Sequence, residues 1–389
     1  MREKGDEKKR ATHKNGFLFR PSTHALSRLQ AISSTGHAMR FLVVTSYVPF
    51  EMGGNERLAL ALVRELNKRG HEADWLFTPQ NRHYLFRSLL AGYAANYLTD
   101  VKEVDGRPID RVITIKFPSF AVRHPFQICW FAHRQREYYD LWDEWYAYQK
   151  RIGAGKRKKL QRALLHRLDN HFLSRHVKHL FAISKNVAGR LKRFGDHHAE
   201  VLYPPPLREE LIHFKAYEPF IFSFSRLIKP KRMDLLIEAM RHVTSTDVRA
   251  VIGGKGAEFD RLNQMIRDYG LQDRVTLTGA LSDEEVFDYV ARCRAVLFAP
   301  KDEDYGLVTV EAMRSRKPVI TCADSGGPTE LVRDGENGFV LPPDPRAIAK
   351  RIDEFATSED LARSLGEQAY ADSLAISWDR VVERFTAPL

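Results

Sequence analysis

Only three cysteines, Cys129, Cys293 and Cys322, occur in 389 residues. They are scattered, odd in number and without CxxC spacing, so the sequence offers neither a disulfide framework nor a cysteine zinc site, which fits a reducing cytosol. Long apolar runs are missing as well. The longest candidate, residues 41–50, is broken by Thr45, Ser46 and Pro49, far short of the roughly 18 apolar residues that mark a bilayer span. No apolar core of a secretory signal stands near the start. Acidic charge is in deficit, with 50 Asp and Glu against 61 Lys and Arg and a net charge of +11. A basic surplus of that size raises nucleic acid, phosphate or acidic lipid as partners.

What is present is globular: 43% apolar residues, 11% aromatic and 29% charged. That composition excludes disordered and collagen-like chains, and the length suits two domains, since single cores stop growing near about 250–300 residues. The charge is unevenly spread. Residues 1–38 hold eight Lys or Arg against three acids and little apolar periodicity, so a basic, disordered extension is expected there, with Met39 as the natural start. Residues 150–178 hold ten Lys or Arg and one acid, Asp169. Leu160, Leu164, Leu168 and Phe172 form a helical stripe in this stretch, which reads either as a helix packed on the N-terminal domain or as an interfacial element drawn to anionic lipid.

From Arg40 onward strand and helix signals alternate. Residues 41–45 are a buried-strand run, Gly53 and Gly54 form a turn, Leu58, Ala59, Leu62, Val63 and Leu66 recur at helical spacing, and Gly70 stops the helix. Residues 75–77 come next as a strand. Later strand candidates lie at 221–224, 250–252, 275–277, 296–298, 319–321 and 339–341, with Leu235, Leu236, Ala239, Met240 and Val243 marking one intervening helix and a capping box at Ser282-Asp-Glu-Glu285 opening another. This alternation predicts an α/β fold of doubly wound parallel sheets. Tyr203-Pro-Pro-Pro206 stiffens a linker between two such domains. The expected division is 39–205, 206–372 and a terminal helix over 373–389, with ligands in the cleft beyond the carboxyl ends of the strands.

The segment Pro300-Lys-Asp-Glu-Asp-Tyr-Gly-Leu-Val-Thr-Val-Glu-Ala-Met313 leaves a strand and enters a helix. Gly306 permits close backbone approach, the amides of 307–309 start the helix and suit phosphate oxygens, and Glu311 one turn on suits hydroxyls. By residue type alone the two glutamates also fit solvated helix charges or a hydrolase carboxylate pair, and Asp302-Glu-Asp304 fits a metal site.

Glu303 and Glu311 with seven residues between them, then Arg316-Lys-Pro-Val-Ile320, Gly326-Gly-Pro-Thr-Glu330 and Asp334-Gly-Glu-Asn-Gly-Phe339, resemble in order the C-terminal domain of family-4 glycosyltransferases with the GT-B fold. Upstream, Ser225-Arg-Leu-Ile-Lys-Pro-Lys231 and Ile252-Gly-Gly-Lys-Gly256 extend the likeness. The resemblance implies two Rossmann-like domains facing a cleft and retaining transfer of a hexose from a GDP- or UDP-sugar to an acceptor hydroxyl. It implies no cofactor or metal beyond the nucleotide-sugar co-substrate. Arg226 and Lys231 would clamp the diphosphate, Glu303 would meet the donor sugar and Glu311 the ribose. Gly306, Leu307 and Val308 would offer backbone amides, and Gly254 would lie at the glycine-rich strand end. Asp304-Tyr305 departs from the Gly-Phe usual there, and Arg232 stands where many members have Gly.

In the N-terminal domain Gly53 and Gly54 resemble the family's glycine-rich first loop, and His133 ends a buried strand where the family often has histidine. Arg134, Gln135 and Arg136 are then candidates for binding an anionic acceptor or capping the site. Ser377-Trp378 resembles the start of the family's terminal helix, which crosses back to the N-terminal domain. The acceptor class implied is a glycan, glycolipid or small molecule, in cell-surface polysaccharide or glycolipid assembly. The implied location is cytoplasmic, peripheral on the inner face of the cell membrane if the basic stretch binds lipid. A nucleotide-sugar-binding or epimerising relative is the alternative on the same fold. A nucleic-acid binder is the remote one, since no nucleic-acid module accompanies the basic residues and no nucleic-acid partner is expected.

Overall fold

The computed structural model describes residues 38–50, 52–80 and 86–388; the expectation for the basic extension lies outside them apart from Ala38. The chain divides into Met1–Ala38 and Met39–Leu389, and the second unit carries both large sheets.

Six strands build the N-terminal sheet: β1 (Arg40–Tyr47), β2 (Glu72–Pro79), β3 (Arg111–Thr114), β4 (Gln127–Phe131), β5 (His179–Ala182) and β6 (Glu200–Val201). They run parallel in the order β2-β1-β3-β4-β5-β6. Strand β1 is buried on both faces, as a central parallel strand must be when helices cover both sides of the sheet. Helix α1 (Gly54–Lys68) begins at Gly53, whose N–H donates to Glu56 Oε2 at 3.0 Å, and buries Leu58, Ala59, Leu62 and Leu66. Gly70, at φ +84°, supplies the left-handed residue just past its end.

The C-terminal sheet holds β7 (Phe220–Phe224), β8 (Arg249–Gly253), β9 (Val275–Gly279), β10 (Ala295–Leu297), β11 (Val319–Cys322) and β12 (Gly338–Leu341). Its order is β9-β8-β7-β10-β11-β12, again parallel throughout. The strand order reverses between β1 and β3 in one sheet and between β7 and β10 in the other. Such switch points open crevices at the strands' carboxyl ends, so topology alone assigns the site to the loops after β1, β7 and β10. The three cysteines are buried and unpaired, in keeping with their spacing.

The final helix, α12 (Trp378–Thr386), packs on the N-terminal lobe. Trp130 of β4 makes edge contacts with Trp378 and Phe385 at centroid distances of 6.3 and 5.3 Å. Trp378 Nε1 donates to Pro206 O at 3.1 Å, and Arg69 pairs with Asp379 at 2.6 Å. Among the described residues no helix is long and apolar enough to cross a membrane.

The basic stretch forms α3 (Trp142–Arg151) and α4 (Gly155–Arg175), and here the expected stripe needs correction. The packed face of α4 uses Leu165, Asp169, Phe172 and Leu173, with Leu168 partly buried, whereas Leu160 and Leu164 are 73% and 39% exposed. Asp169 is accommodated inside because the hydroxyls of Tyr93 and Tyr139 both donate to it. A buried carboxylate so satisfied belongs to the packed face, which rotates that face away from the stripe that the leucines suggest.

Candidate active site

The loop after β1 leads into α1, and the loop after β10 leads into α9 (Leu307–Arg314), counting α5 (Lys185–Gly195), α6 (Asp234–Met240), α7 (Phe259–Asp268) and α8 (Asp283–Arg292) before it. A Cβ built on Gly54 would lie 3.9 Å from Leu307 Cδ1, so the first turns of α1 and α9 face each other across the cleft. Under the glycine turn, buried Glu56 pairs with buried Lys116 of the loop after β3. No sequence pattern reveals this pair, whose members stand 60 residues apart.

On the C-terminal side Arg226 follows β7, and Lys231 closes the short turn Lys229–Lys231. Lys231 Nζ donates to Glu303 Oε2 at 2.6 Å and lies 5.4 Å from the Phe298 ring centroid. Gly306 turns the chain into α9 at φ +85°, where a Cβ would come within 2.7 Å of the Phe298 ring and 3.6 Å of Glu303 Cγ. The amides of Leu307 and Val308 open the helix, where no earlier turn can accept from them. The Thr309 N–H, expected to be free beside them, donates instead to Gly306 O at 2.9 Å. Gly254 sits at φ +141°, and a Cβ there would stand 1.9 Å from Ser225 O. Its hydrogen atom is what lets the end of β8 pass the loop that carries Arg226.

A cavity of about 660 Å³ opens between the lobes, a volume suited to a nucleotide-sized ligand. Of the residues singled out from sequence, Gly54, Arg226, Gly254, Leu307, Val308 and Glu311 line it. Lys231, Glu303, Gly53, Gly306 and His133 lie outside its lining. Sequence reasoning missed Arg57 and Arg208, which converge on Asp283 at 2.9 Å each. In sequence Asp283 reads only as part of a helix-capping box, which it also is: Ser282 caps α8 and accepts from Glu285 N at 3.2 Å. Phe224, Leu281, Val286 and Phe287 give the cavity an apolar wall. Glu311 is pushed up to about 7 by desolvation, with Asp283 adding to the effect and Arg57 opposing it.

His133 lies just past β4 and is half-buried. Burial lowers its pKa, against the opposing pull of Asp304, so the ring is neutral near pH 7. Its Nδ1 lies 2.8 Å from Arg134 O; a carbonyl can only accept, which assigns the proton to Nδ1 and leaves Nε2 as an acceptor.

The three side chains after His133 are each engaged within the protein. Arg134 is buried, donates to Asn170 at 3.2 Å and lies over the Tyr139 ring, and Gln135 donates to Glu137 at 2.7 Å. Arg136 reaches Asp302 at 2.7 Å. Arg190 of α5 grips the same loop, with Asp302 at 2.6 Å and a close bond to Asp304. Asn186 Nδ2 donates to Asp302 Oδ1 at 3.0 Å and to Glu303 O at 2.9 Å, while Tyr305 OH donates to Pro204 O at 2.9 Å. Asp302 and Asp304 are therefore arginine partners, and no group of three or more His, Cys, Asp or Glu suited to a metal occurs among the described residues. The departure Asp304-Tyr305 acquires a physical reason: both side chains tie the Glu303 loop to the N-terminal lobe and the linker. Arg232 braces the same region from the other side, donating to Ala299 O and Pro300 O at 2.8 Å and pairing with Asp324 at 2.7 Å.

Two parallel six-stranded sheets with facing switch points, closed by a terminal helix that returns to the first lobe, define the GT-B architecture. Residues 209–372 match the family described as Glycosyl transferases group 1. An uncharacterized glycosyltransferase of Methanocaldococcus jannaschii is 26% identical over 204 residues, 52% of this chain and 56% of that protein. The chain spans about half the length of the curated relatives it matches. Among solved structures, sucrose-phosphate synthase from Thermosynechococcus elongatus superposes with a TM-score of 0.69 at 20% identity, covering 89% of this chain and 97% of that one. An Anabaena protein, HepE, solved with UDP-glucose, gives 0.58 at 17% identity, covering 88% and 98%. At these identities the structures speak for the fold.

Proposed function

We propose that the chain is a glycosyltransferase that moves a hexose from a UDP- or GDP-sugar to an acceptor hydroxyl with retention of configuration. The observation that carries this reading is the convergence of Arg226 and the opening amides of α9 on one interlobe cavity. A departing nucleoside diphosphate gathers negative charge as the glycosidic bond breaks. Fixed cations and helix-start amides stabilise that charge without reorganising. Lys231 is held beside the cavity by Glu303, so the pair presents a cation toward phosphate and a carboxylate toward sugar hydroxyls. Glu311, titrating near neutrality, can both accept from and donate to a ribose diol.

No side chain at the site is a ready nucleophile, so the reading favours same-face transfer in which a leaving phosphate oxygen takes the acceptor proton. His133 Nε2 orients the acceptor or donor-sugar hydroxyl from the N-terminal side. The donor is a co-substrate, and the positive charge at the diphosphate comes from Arg226 and Lys231. The acceptor class is a glycan, glycolipid or small molecule, and surface-polysaccharide or glycolipid assembly on the cytoplasmic side is the setting proposed.

A thermal-shift panel of UDP-, GDP- and ADP-sugars tests the reading, because a ligand at about 100 times its Kd stabilises the folded state by roughly 2.7 kcal/mol. A shift with one nucleotide series, followed by sugar transfer to an acceptor extract, is the expected result. Absence of any shift refutes the donor site. Conversion of the donor alone to an epimer moves the reading to the epimerising alternative.

A further inference from the structure

We propose that the outer face of α4 is a docking surface for an anionic lipid bilayer. On this face Lys156, Arg157, Lys159 and Arg167 are exposed, and none forms an ion pair with a described carboxylate. The one acid of the helix, Asp169, is buried on the opposite face between Tyr93 and Tyr139. Between these cations stand Leu160 and Leu164, 73% and 39% exposed, and Ile152, at the end of α3, is 58% exposed.

Water is a poor environment for this combination, and so is a purely polar polyanion. A cationic face alone would fit nucleic acid or any polyphosphate. Leucines set at the centre of such a face gain only where an apolar phase lies just below the negative charge, which is the layering of an acidic bilayer surface. The helix has leucines in plenty for its own packing; the lobe takes Leu165, Leu168 and Leu173 and leaves the other two outside.

The face also has a fixed relation to the cleft. Arg162 and His166, on the side of α4 turned toward the lobe, bond Tyr138 O at 3.0 and 2.8 Å, two residues from Arg136, which holds Asp302. These bonds fix the orientation of α4 on the N-terminal lobe, so Leu160 and Leu164 are held outward on the face opposite its packed side.

The test uses the full chain and needs no enzymatic assay, so its failure would leave the proposed transfer reaction standing. Co-flotation is measured with vesicles of phosphatidylcholine and with vesicles carrying about 30 mol% phosphatidylglycerol, at low and high salt. Binding to the acidic vesicles alone, weakened by salt, is expected. Lys156→Gln/Arg157→Gln should weaken it roughly thirtyfold, from about 1 kcal/mol per cation at such a surface. Leu160→Ser/Leu164→Ser should weaken it by about tenfold or more through lost apolar burial, with an unchanged thermal midpoint. No acidic-lipid binding by the wild-type chain overturns the proposal. So does a leucine variant that floats like wild type, which would mark the face as a general polyanion site, or retention in both variants, which would assign binding to another basic segment.

Discussion

The grip of Arg190 on the Glu303 loop makes a prediction whose size follows from the geometry. Arg190 has 16% side-chain exposure and holds Asp302 at 2.6 Å and Asp304 more closely still, with Asp140 at 3.6 Å. Charge-assisted bonds contribute about 1.5–3 kcal/mol each when shielded and far less when exposed. Asp302 is 40% exposed and Asp304 22%, so the Asp304 bond dominates, and Arg190→Gln should cost about 2–3 kcal/mol in the coupling between the lobes. Arg136 still holds Asp302 in that variant, so the loop shifts rather than unfolds. A displacement near 1 Å at a positioned group can lower turnover about a hundredfold, and kcat/KM for the donor should fall by roughly ten- to a hundredfold. The assay is a double-mutant cycle of Arg190→Gln and Asp304→Asn, read both in thermal stability and in donor kinetics. Additive effects, or wild-type donor kinetics in Arg190→Gln, would refute the argument. The pH sign is fixed as well. Asp302 is held below its ordinary 3.8 chiefly by Asn186 and Arg190, against desolvation; its contribution is therefore present above that value and lost as pH falls through the lowered one.

Three further outcomes are expected in the cleft. Lys231→Ala and Glu303→Gln should each lower kcat by about a hundred- to a thousandfold while leaving the thermal midpoint within a few degrees, measurable in a donor-saturated transfer assay. Gly254→Ala must place its methyl 1.9 Å from Ser225 O at φ +141°, so a loss of more than about 3 kcal/mol in denaturant unfolding is expected, together with loss of donor binding. For Glu311, whose folded-state pKa rises from 4.5 to about 7, the folded state holds the extra proton. Stability should fall as pH rises across that window, by about 2–3 kcal/mol, and Glu311→Gln should flatten the profile in urea titrations at pH 5 and 8.

Much of the C-terminal lobe is legible in the sequence because most of its strands carry a short apolar run between turn residues. The N-terminal lobe is harder. Strand β3 opens on Arg111, which is buried only because its guanidinium donates to Phe385 O in the terminal helix, 274 residues away. Strands β5 and β6 are short and carry His179 and Glu200 at their starts. On α4 the leucine stripe points to the wrong face, since no local pattern reveals that Asp169 finds two tyrosine hydroxyls inside. Around the cavity, the turn at Gly306 and the helix that carries Glu311 are legible because chain turn, helix start and helical period act within a dozen residues. The ties from Arg136, Arg190 and Asn186 to the Glu303 loop are not, because each depends on two lobes meeting across more than 110 positions of sequence. Separations of 226 and 75 positions likewise hide the roles of Arg57 and Arg208 at Asp283.

The bond from Trp378 to Pro206 sets the two passages between the lobes side by side, the outward linker at 203–206 against the start of α12. Two neighbouring crossings behave as a pivot with a width, unlike a single tether, which would let one lobe swing in any direction. Rotation about that pivot moves residues near it little and those far from it most. Ligand entry should therefore resemble the opening of a book along a bound spine, with Trp378 as one of its stitches. A chain cut before Trp378 would lose that axis and uncover Trp130 and Arg111 of the N-terminal sheet.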